Sequence, residues 1–408
     1  MRPNWPIIRR RRLRTATAII LLLTSLLEVL RVKHALLQQF TPGPYSSSPS
    51  SSSLSFKGEK IFITGIHWNN EQILRDAWIP ALVELASAIG RENVFVSIQE
   101  SGSWDDSKGA LRALDQQLAE HDIPRRIILD ETTHRDEISK APGKQGWIET
   151  GRGVELRRIP YLAGLRNLVL QPLYELLGNG VVFDKVLFLN DVVFTTNDIR
   201  KLLATRGGQY AAACSLDFSK PPRFYDTFAL RDAEGHDMLM QTWPYFRARA
   251  SRHALKHSQP VPVASCWNGA VAMDASPFYE KPALRFRGIP DSLAKSHLEG
   301  SECCLIHADN PLSRNLGVWL NPNVRVGYNT LAYDAVNAPD RLWLSSLAVL
   351  GGLWRNRLLR WFSTPWFKES VVRGRLDAWE KKEGRREEGA FCIVNEMQVL
   401  VENGWAHR

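Results

Sequence analysis

Between Lys60 and Leu189 short apolar runs alternate with segments of helical character, and this alternation narrows the possible folds more than any other feature of the chain. "KIFITG" (60–65), "NVFVSIQ" (93–99), "RRIILD" (125–130) and "VLFL" (186–189) read as strands. "EQILRDAWIPALVELASAIG" (71–90) reads as a helix with Asn69 or Asn70 as its cap, closed by Gly90 and kinked or divided by Pro80. "SKGALRALDQQLAEH" (107–121), capped by Asp105 or Asp106, and a longer stretch over 160–177 are the next helices. Short apolar strands in β-α-β-α order imply an α/β fold with a mostly parallel central sheet covered on both faces. Beyond Asp191 the pattern loosens into "YAAACSLDF", "GAVAMD" and "NVRVGY", and no internal repeat is visible.

In open sheets of this kind ligands bind beyond the carboxyl ends of the parallel strands. Thr64, Gly65, Glu100, Ser101, Asn190 and Asp191 fall at such ends. Asn190 and Asp191 are the pair to explain, because a strand burying Val, Leu and Phe has no packing reason to interrupt itself with an amide and a carboxylate. One reading is a carboxylate that holds a hard divalent cation against a diphosphate. The other is a two-residue turn between hydrophobic runs. No G-x-G-x-x-G follows the first strand and no Walker A sequence occurs, which argues against a dinucleotide site and a P-loop.

Charge is concentrated at one end. Eight basic residues against one acid up to Lys33 account for all but about two units of the net charge of +9, so the main domain has no electrostatic case for nucleic acid. Residues 1–14 read as a basic cytosolic tail and 15–32 as a signal-anchor helix, "TATAIILLLTSLLEVL" followed by Arg31. Residues 33–58, rich in Ser and Pro, read as an extended stem. The globular part then lies on the lumenal side, a single-pass type II arrangement, in the layout of Golgi processing enzymes. Residues 59–337 form the expected catalytic domain and 338–408 a helical extension. That extension contains "LWLSSLAVLGGLWRNRLLRWFSTPWF", which either packs on the domain or lies at the membrane surface. The five cysteines (214, 266, 303, 304, 392) leave at least one unpaired within the chain, and Cys303 and Cys304 are poorly placed to bond to each other.

Seven collinear motifs, "GIHWNNE", "KVLFLNDVVF", "CSLDF", "FYDTFALRD", "CWNGAVAMDASPF", "SECCLIHAD" and "NPNVRVGYN", together resemble the fungal capsule-associated mannosyltransferases, the cryptococcal α-1,3-mannosyltransferase group. The resemblance implies a GT-A-like nucleotide-sugar fold, GDP-mannose as donor, a mannoside acceptor and a divalent cation, usually Mn2+. It further implies a Golgi protein that builds capsule or wall glycan. Asp191 then corresponds to the metal-binding carboxylate of a D-x-D element and Asn190 to its polar neighbour. Leu189 stands where the first Asp would be. His307 is the candidate second metal ligand, or else it merely ends a "CCLI" strand. Glu302 and Asp217 are the candidate catalytic carboxylates, and net retention leaves open a covalent nucleophile or same-face attack. Trp267, Asn268 and Gly269 offer an aromatic face, an amide and a close backbone approach for a sugar. Asp226 suits sugar hydroxyls and Arg231 phosphate, unless Arg231 pairs with Asp232. Thr64, Gly65 and Glu100 remain for the nucleoside.

The expected activity is transfer of mannose from GDP-mannose to a mannose-containing acceptor, forming an α-1,3 bond. A catalytically silent glycan-binding or scaffold protein is the alternative, motivated by Leu189. A glycoside hydrolase would need two carboxylates ~5–9.5 Å apart flanking a cleft.

Overall fold

The computed structural model describes residues 5–38, 56, 58–339 and 341–408, so most of the Ser/Pro stretch expected to be a stem lies outside the described residues. The principal strands are β1 (Ile61–His67), β2 (Val94–Ser101), β3 (Arg125–Asp130), β4 (Lys185–Leu189), β5 (Ala212–Lys220), β6 (Val261–Ser265), β7 (Ala270–Asp274) and β8 (Val318–Gly327). They form one sheet in the order β3-β2-β1-β4-β7-β5-β8-β6, extended beyond β6 by Arg231–Asp232. β1 to β5 and β8 run the same way, while β6 and β7 are reversed. The sheet is therefore mostly parallel in direction.

Successive side chains on a strand face opposite sides, and here both sides are dry. Phe62, Val186, Phe188, Cys214 and Leu216 enter one core, and Ile61, Ile63, Leu187, Leu189 and Ala213 the other. All five residues of β4 are buried. Each buried Val, Leu or Phe contributes roughly 1.5–3 kcal/mol, which makes β4 a rigid support for whatever follows Leu189.

The first helix runs Glu71–Ile73, then one π-helical stretch Leu74–Trp78, then Ile79–Ile89. The irregular turn places Pro80 in the opening turn of the last segment, where its missing N–H costs least. Asn70 does not cap this helix with its side chain, which is used elsewhere; the Asp105 carboxylate accepts from Glu71 N instead. Asp106 caps Ser107–Glu120 as expected. The 160–177 segment is two helices, Arg158–Val169 and Gln171–Gly178, the second opened by Pro172. "ECCLIHAD" is a helix, Glu302–Asp309, begun by Ser301, and not the strand that its apolar run invited.

Disulfides join Cys214 to Cys266 and Cys304 to Cys392, leaving Cys303 as a buried thiol. The second bond ties the C-terminal segment to the domain. That segment comprises helices Ser346–Phe362 and Trp366–Glu383 and ends in the hairpin Gln398–Val401/Gly404–His407. The hairpin docks through an Arg157–Val399 bridge and the Arg408–Glu155 ion pair.

A helix, Trp5–Leu37, basic at its start and apolar beyond, precedes the domain. Its 25-residue stretch Leu13–Leu37 covers about 37 Å at 1.5 Å per residue, long and apolar enough to cross a bilayer. Ser25, Val29, Val32 and Leu36 are buried on the domain, while residues 13–24 are exposed.

Candidate active site

β4 delivers Asn190 and Asp191 to the carboxyl edge of the sheet. Asn190 N donates to Gly269 O at 2.8 Å, Trp78 Nε1 donates to Asn190 O at 2.9 Å, and Val193 N donates to Gly327 O at 2.7 Å. The chain thus crosses from the end of β4 to the end of β8 and does not double back into a hairpin. Asp191 lines a cleft of about 530 Å3 with Asn70, Glu71, Asp76, Asp105 and Tyr328. Its Oδ2 accepts from Asn70 Nδ2 at 3.0 Å. Burial pushes its pKa up to about 6, because a carboxylate loses hydration there faster than one amide restores it.

Behind this edge lies a second carboxylate, Asp217, fully buried near the end of β5. It accepts from Asn268 Nδ2 at 3.2 Å, Asp226 N at 3.3 Å and Tyr328 Oη at 3.3 Å. Burial, with the Asp226 charge adding to it, pushes its pKa up to about 8. Burial raises Asp226 too, against the backbone N–H groups of Phe228 and Ala229 that favour its ionised form. Gly269 permits this packing: its φ is +81°, and an added Cβ would lie 2.5 Å from Val326 Cγ2 and 3.3 Å from Asp217 Cβ.

The sequence-predicted residues divide sharply. Asn190, Asp191, Asp217, Asp226, Asn268 and Gly269 converge at this edge. Trp267 does as well, but as a core side chain. Phe188, Phe286 and the Arg166 guanidinium, 4.5 Å from the ring centroid, cover it, and its Nε1 donates to Asn190 Oδ1, so it has no free face for a sugar. Arg231 is not available to phosphate. Its guanidinium donates to the carbonyls of Phe391, Phe228, Leu230 and Cys392, and its acidic partner is Asp237, not Asp232. Thr64 and Gly65 lie inside β1, which continues to His67; Thr64 is fully buried, and Gly65 backs onto Leu189 O. Glu100 is buried against Lys108 Nζ at 3.3 Å and accepts from Ser103 N.

Glu302 is buried at a helix start, paired with Arg166 Nε at 3.1 Å and accepting from Cys303 Sγ. It reaches the edge only as a charge felt by Asp226. His307 sits on the Cys214–Cys266 disulfide with Nε2 2.7 Å from Cys266 O, and burial lowers its pKa to about 4. Among the described residues it makes no contact with Asp191.

Four residues of the edge escaped sequence reasoning. The Tyr328 and Tyr225 rings meet at 4.4 Å between centroids with their planes tilted by 50°, and both feel the charges of Asp191, Asp217 and Asp226. Asn70 in "GIHWNNE", Tyr225 in "FYDTFALRD" and Tyr328 in "NPNVRVGYN" stood in motifs the sequence displays, whereas Arg158 did not. Arg158 lies close enough for its charge to act on Asp226 and Tyr225, held by Gln398 at 2.6 Å and by the Trp405 ring.

A cation fits here in one way only. Among the described residues the only tight cluster of three potential ligands is Cys214, Cys266 and His307, and the two cysteines are spent on a disulfide. Asp191 therefore belongs to no tight trio of ligands, in a cleft that Glu71, Asp76 and Asp105 also line with carboxylates. That donor set suits a hard divalent ion completed by a ligand's phosphate oxygens and water.

A profile of the family described as Cryptococcal mannosyltransferase 1 matches residues 60–309, more than half the chain, and spans every residue of this edge up to Asp309. The chain belongs to that family. Membership in the cryptococcal mannosyltransferase family makes it a glycosyltransferase. No curated protein matches the chain. Among solved structures, the mannosyltransferase PcManGT of Pyrobaculum calidifontis is 13% identical, covering 92% of this chain and 88% of its own, with a TM-score of 0.38. TarS of S. aureus is 11% identical (79% and 82% covered, TM-score 0.39). Glucosyl-3-phosphoglycerate synthase of Mycobacterium tuberculosis is 15% identical (78% and 85%, TM-score 0.34). Overlap this loose carries no information on substrate or metal.

Proposed function

We propose that the protein transfers mannose from GDP-mannose to a mannose-containing acceptor, forming an α-1,3 bond with net retention. It does so as a single-pass Golgi protein with a lumenal catalytic domain. The observation that carries this reading is the Asp191 carboxylate, seated at the end of a rigid buried strand and turned into a cleft beside the buried Asp217 and the half-buried Asp226. The GDP diphosphate lies along the cleft between Asn70 and Tyr328, with its sugar toward Asp217 and Asp226. A Mn2+ ion, when bound at Asp191, offsets the charge that builds on the departing diphosphate.

In the reaction the bond from mannose C1 to the phosphate oxygen breaks and the acceptor hydroxyl oxygen bonds to C1 from the same face. The acceptor proton passes to the departing phosphate. Same-face attack is favoured over a covalent intermediate because Asp217 and Glu302 are both buried and engaged, so neither is free to bond to C1. Asp217, holding Tyr328 and Asn268, shapes the floor under the sugar. Two disulfides suit an oxidising lumen.

A silent scaffold is the second reading, supported by Leu189, which is buried in β4 and puts no ligand where the first Asp of a D-x-D would stand. Incubating the protein with labelled nucleotide sugars and a panel of small mannosides separates the two. Mannose transfer that is lost in Asp191→Ala supports the transferase. GDP binding without transfer to any acceptor would favour the scaffold.

A further inference from the structure

The C-terminal segment does more than dock on the domain, because it forms part of a long groove. Two adjoining hollows of about 420 and 860 Å3 share Asp237, Met238, Leu239, Lys368 and Val394, and so run into each other. Together they exceed the roughly 300–1,000 Å3 that a site for one small molecule needs. Along the larger hollow Lys368, Val372, Leu376 and Glu380 recur every four residues on one face of helix Trp366–Glu383. The twelve residues from Lys368 to Glu380 carry the groove about 18 Å at 1.5 Å per residue. The stretch 390–394, which also lines it, is held by the Cys304–Cys392 disulfide and by Arg231, which donates to Phe391 O and Cys392 O.

The smaller hollow begins beside the candidate active site. Thr227 and Phe228 line it, and the Asp226 carboxylate accepts from Phe228 N at 2.9 Å. Glu396, on the same hollow, takes Gln398 Nε2, and Gln398 holds Arg158, whose charge acts on Asp226. A chain with one end at Asp226 can therefore continue along the groove. The lining shows what kind of chain. Val372 and Leu376 are buried and Phe391 is half-buried, while the polar groups beside them are already matched in charge. His236 Nδ1 lies 2.7 Å from Glu369 Oε1, and Asp237 takes both Lys368 and Arg231. Seven acids against five Lys and Arg line the two hollows, which disfavours a polyanion. Apolar ground edged by hydrogen-bonding groups suits a neutral chain with C–H faces and hydroxyls. The Lys368–Asp237 pair stands where the hollows meet, but both partners are exposed, so a ligand displaces it at little cost.

We infer that this groove binds the acceptor as an extended, uncharged oligomannoside, several units back from the hydroxyl that reacts, so that the enzyme selects chains over single sugars. The role as acceptor rests on the proposed transfer reaction, whereas binding in the groove does not.

The test is calorimetric titration of α-1,3-linked mannobiose and mannotetraose into the full chain in detergent, with Mn2+ and GDP present. Ala390→Trp and Arg373→Trp, at exposed lining positions outside the Asp191 cleft, fill the groove. The tetraose should bind the wild type at least tenfold more tightly than the biose. Each Trp variant should shrink that gap below threefold with GDP binding unchanged, which also shows that the variant is folded. Equal affinity of the two sugars for the wild type, or an undiminished gap in both variants, overturns the inference. A wild-type dimer that Ala390→Trp dissociates, read by light scattering, would place a second copy of the chain in the groove and also overturn it. Tetraose binding that the variants lose, with no transfer to any acceptor by the wild type, would overturn the transferase reading and leave the groove standing as a glycan site.

Discussion

Replacing Asp191 by Asn should make the protein more stable at neutral pH, even as it removes the carboxylate proposed to hold the cation. The Asp191 pKa moves from the ordinary 3.8 to about 6 because burial disfavours the ionised form. At 1.36 kcal/mol per unit, two units correspond to at most about 3 kcal/mol. Asp191 is only half-buried, so solvent screening brings the expected value to about 1–2 kcal/mol. The sign follows from proton linkage. Between pH 4 and 6 the folded protein holds a proton on Asp191 that the unfolded chain has released, so rising pH costs stability across that window. Above about pH 7 the cost is fully present, and below about pH 4 it is absent. An Asn side chain keeps an oxygen for Asn70 Nδ2 and never ionises. The variant should therefore melt about 2–4 °C above the wild type at pH 7.5 and level with it at pH 4. Thermal denaturation of both proteins across that range, without metal or nucleotide, is the assay. A gap that stays constant with pH, or an Asp191→Asn variant that is less stable than the wild type at pH 7.5, would refute the idea that Asp191 is held at an energetic cost.

The other expectations concern the structure around it. Asp217 carries its proton until about pH 8, above which its charge faces Asp226 in a closed space. Transfer should fall as pH rises through 8 in the wild type, and a pH–rate profile of Asp217→Asn should lack that fall. Gly269→Ala puts a methyl 2.5 Å from Val326 Cγ2 at a backbone angle of +81°. Strain of about 2–4 kcal/mol should lower the melting temperature by several degrees and disturb the Gly269–Asn190 bond enough to depress transfer. Cys392→Ser breaks the bond to Cys304 across 88 residues, worth about 4.6 kcal/mol by chain entropy. Limited trypsin digestion should then release the C-terminal hairpin, whereas unchanged resistance would show that the Arg231–carbonyl contacts suffice.

The first half of the sheet was legible because β1 to β4 are short apolar runs bounded by good caps and closing glycines, and nothing in their tertiary surroundings overrides that pattern. Asn190-Asp191 was legible for the opposite reason, as a polar pair where packing alone would not place one. The errors share a cause. Trp267 and Arg231 are residue types that bind sugars and phosphates when exposed, but burial decides their role and local sequence does not report it. Arg231 finds its partners at Phe391 and Cys392, about 160 residues away in the chain. "ECCLIHAD" has no helical periodicity because it is buried nearly all round, and a uniformly apolar run does not distinguish helix from strand. Arg158 could not be found from sequence, since it matters only through a hairpin that folds back from residues 398–407.

The central claim is that Asp191 holds a cation against a nucleotide diphosphate. Calorimetric titration of GDP into the wild type and Asp191→Asn, each with and without Mn2+, tests it most directly. Mn2+ is expected to tighten GDP binding at least tenfold in the wild type and to leave it nearly unchanged in the variant. Equal Mn2+ enhancement in both proteins, or no binding of GDP to either, would contradict it.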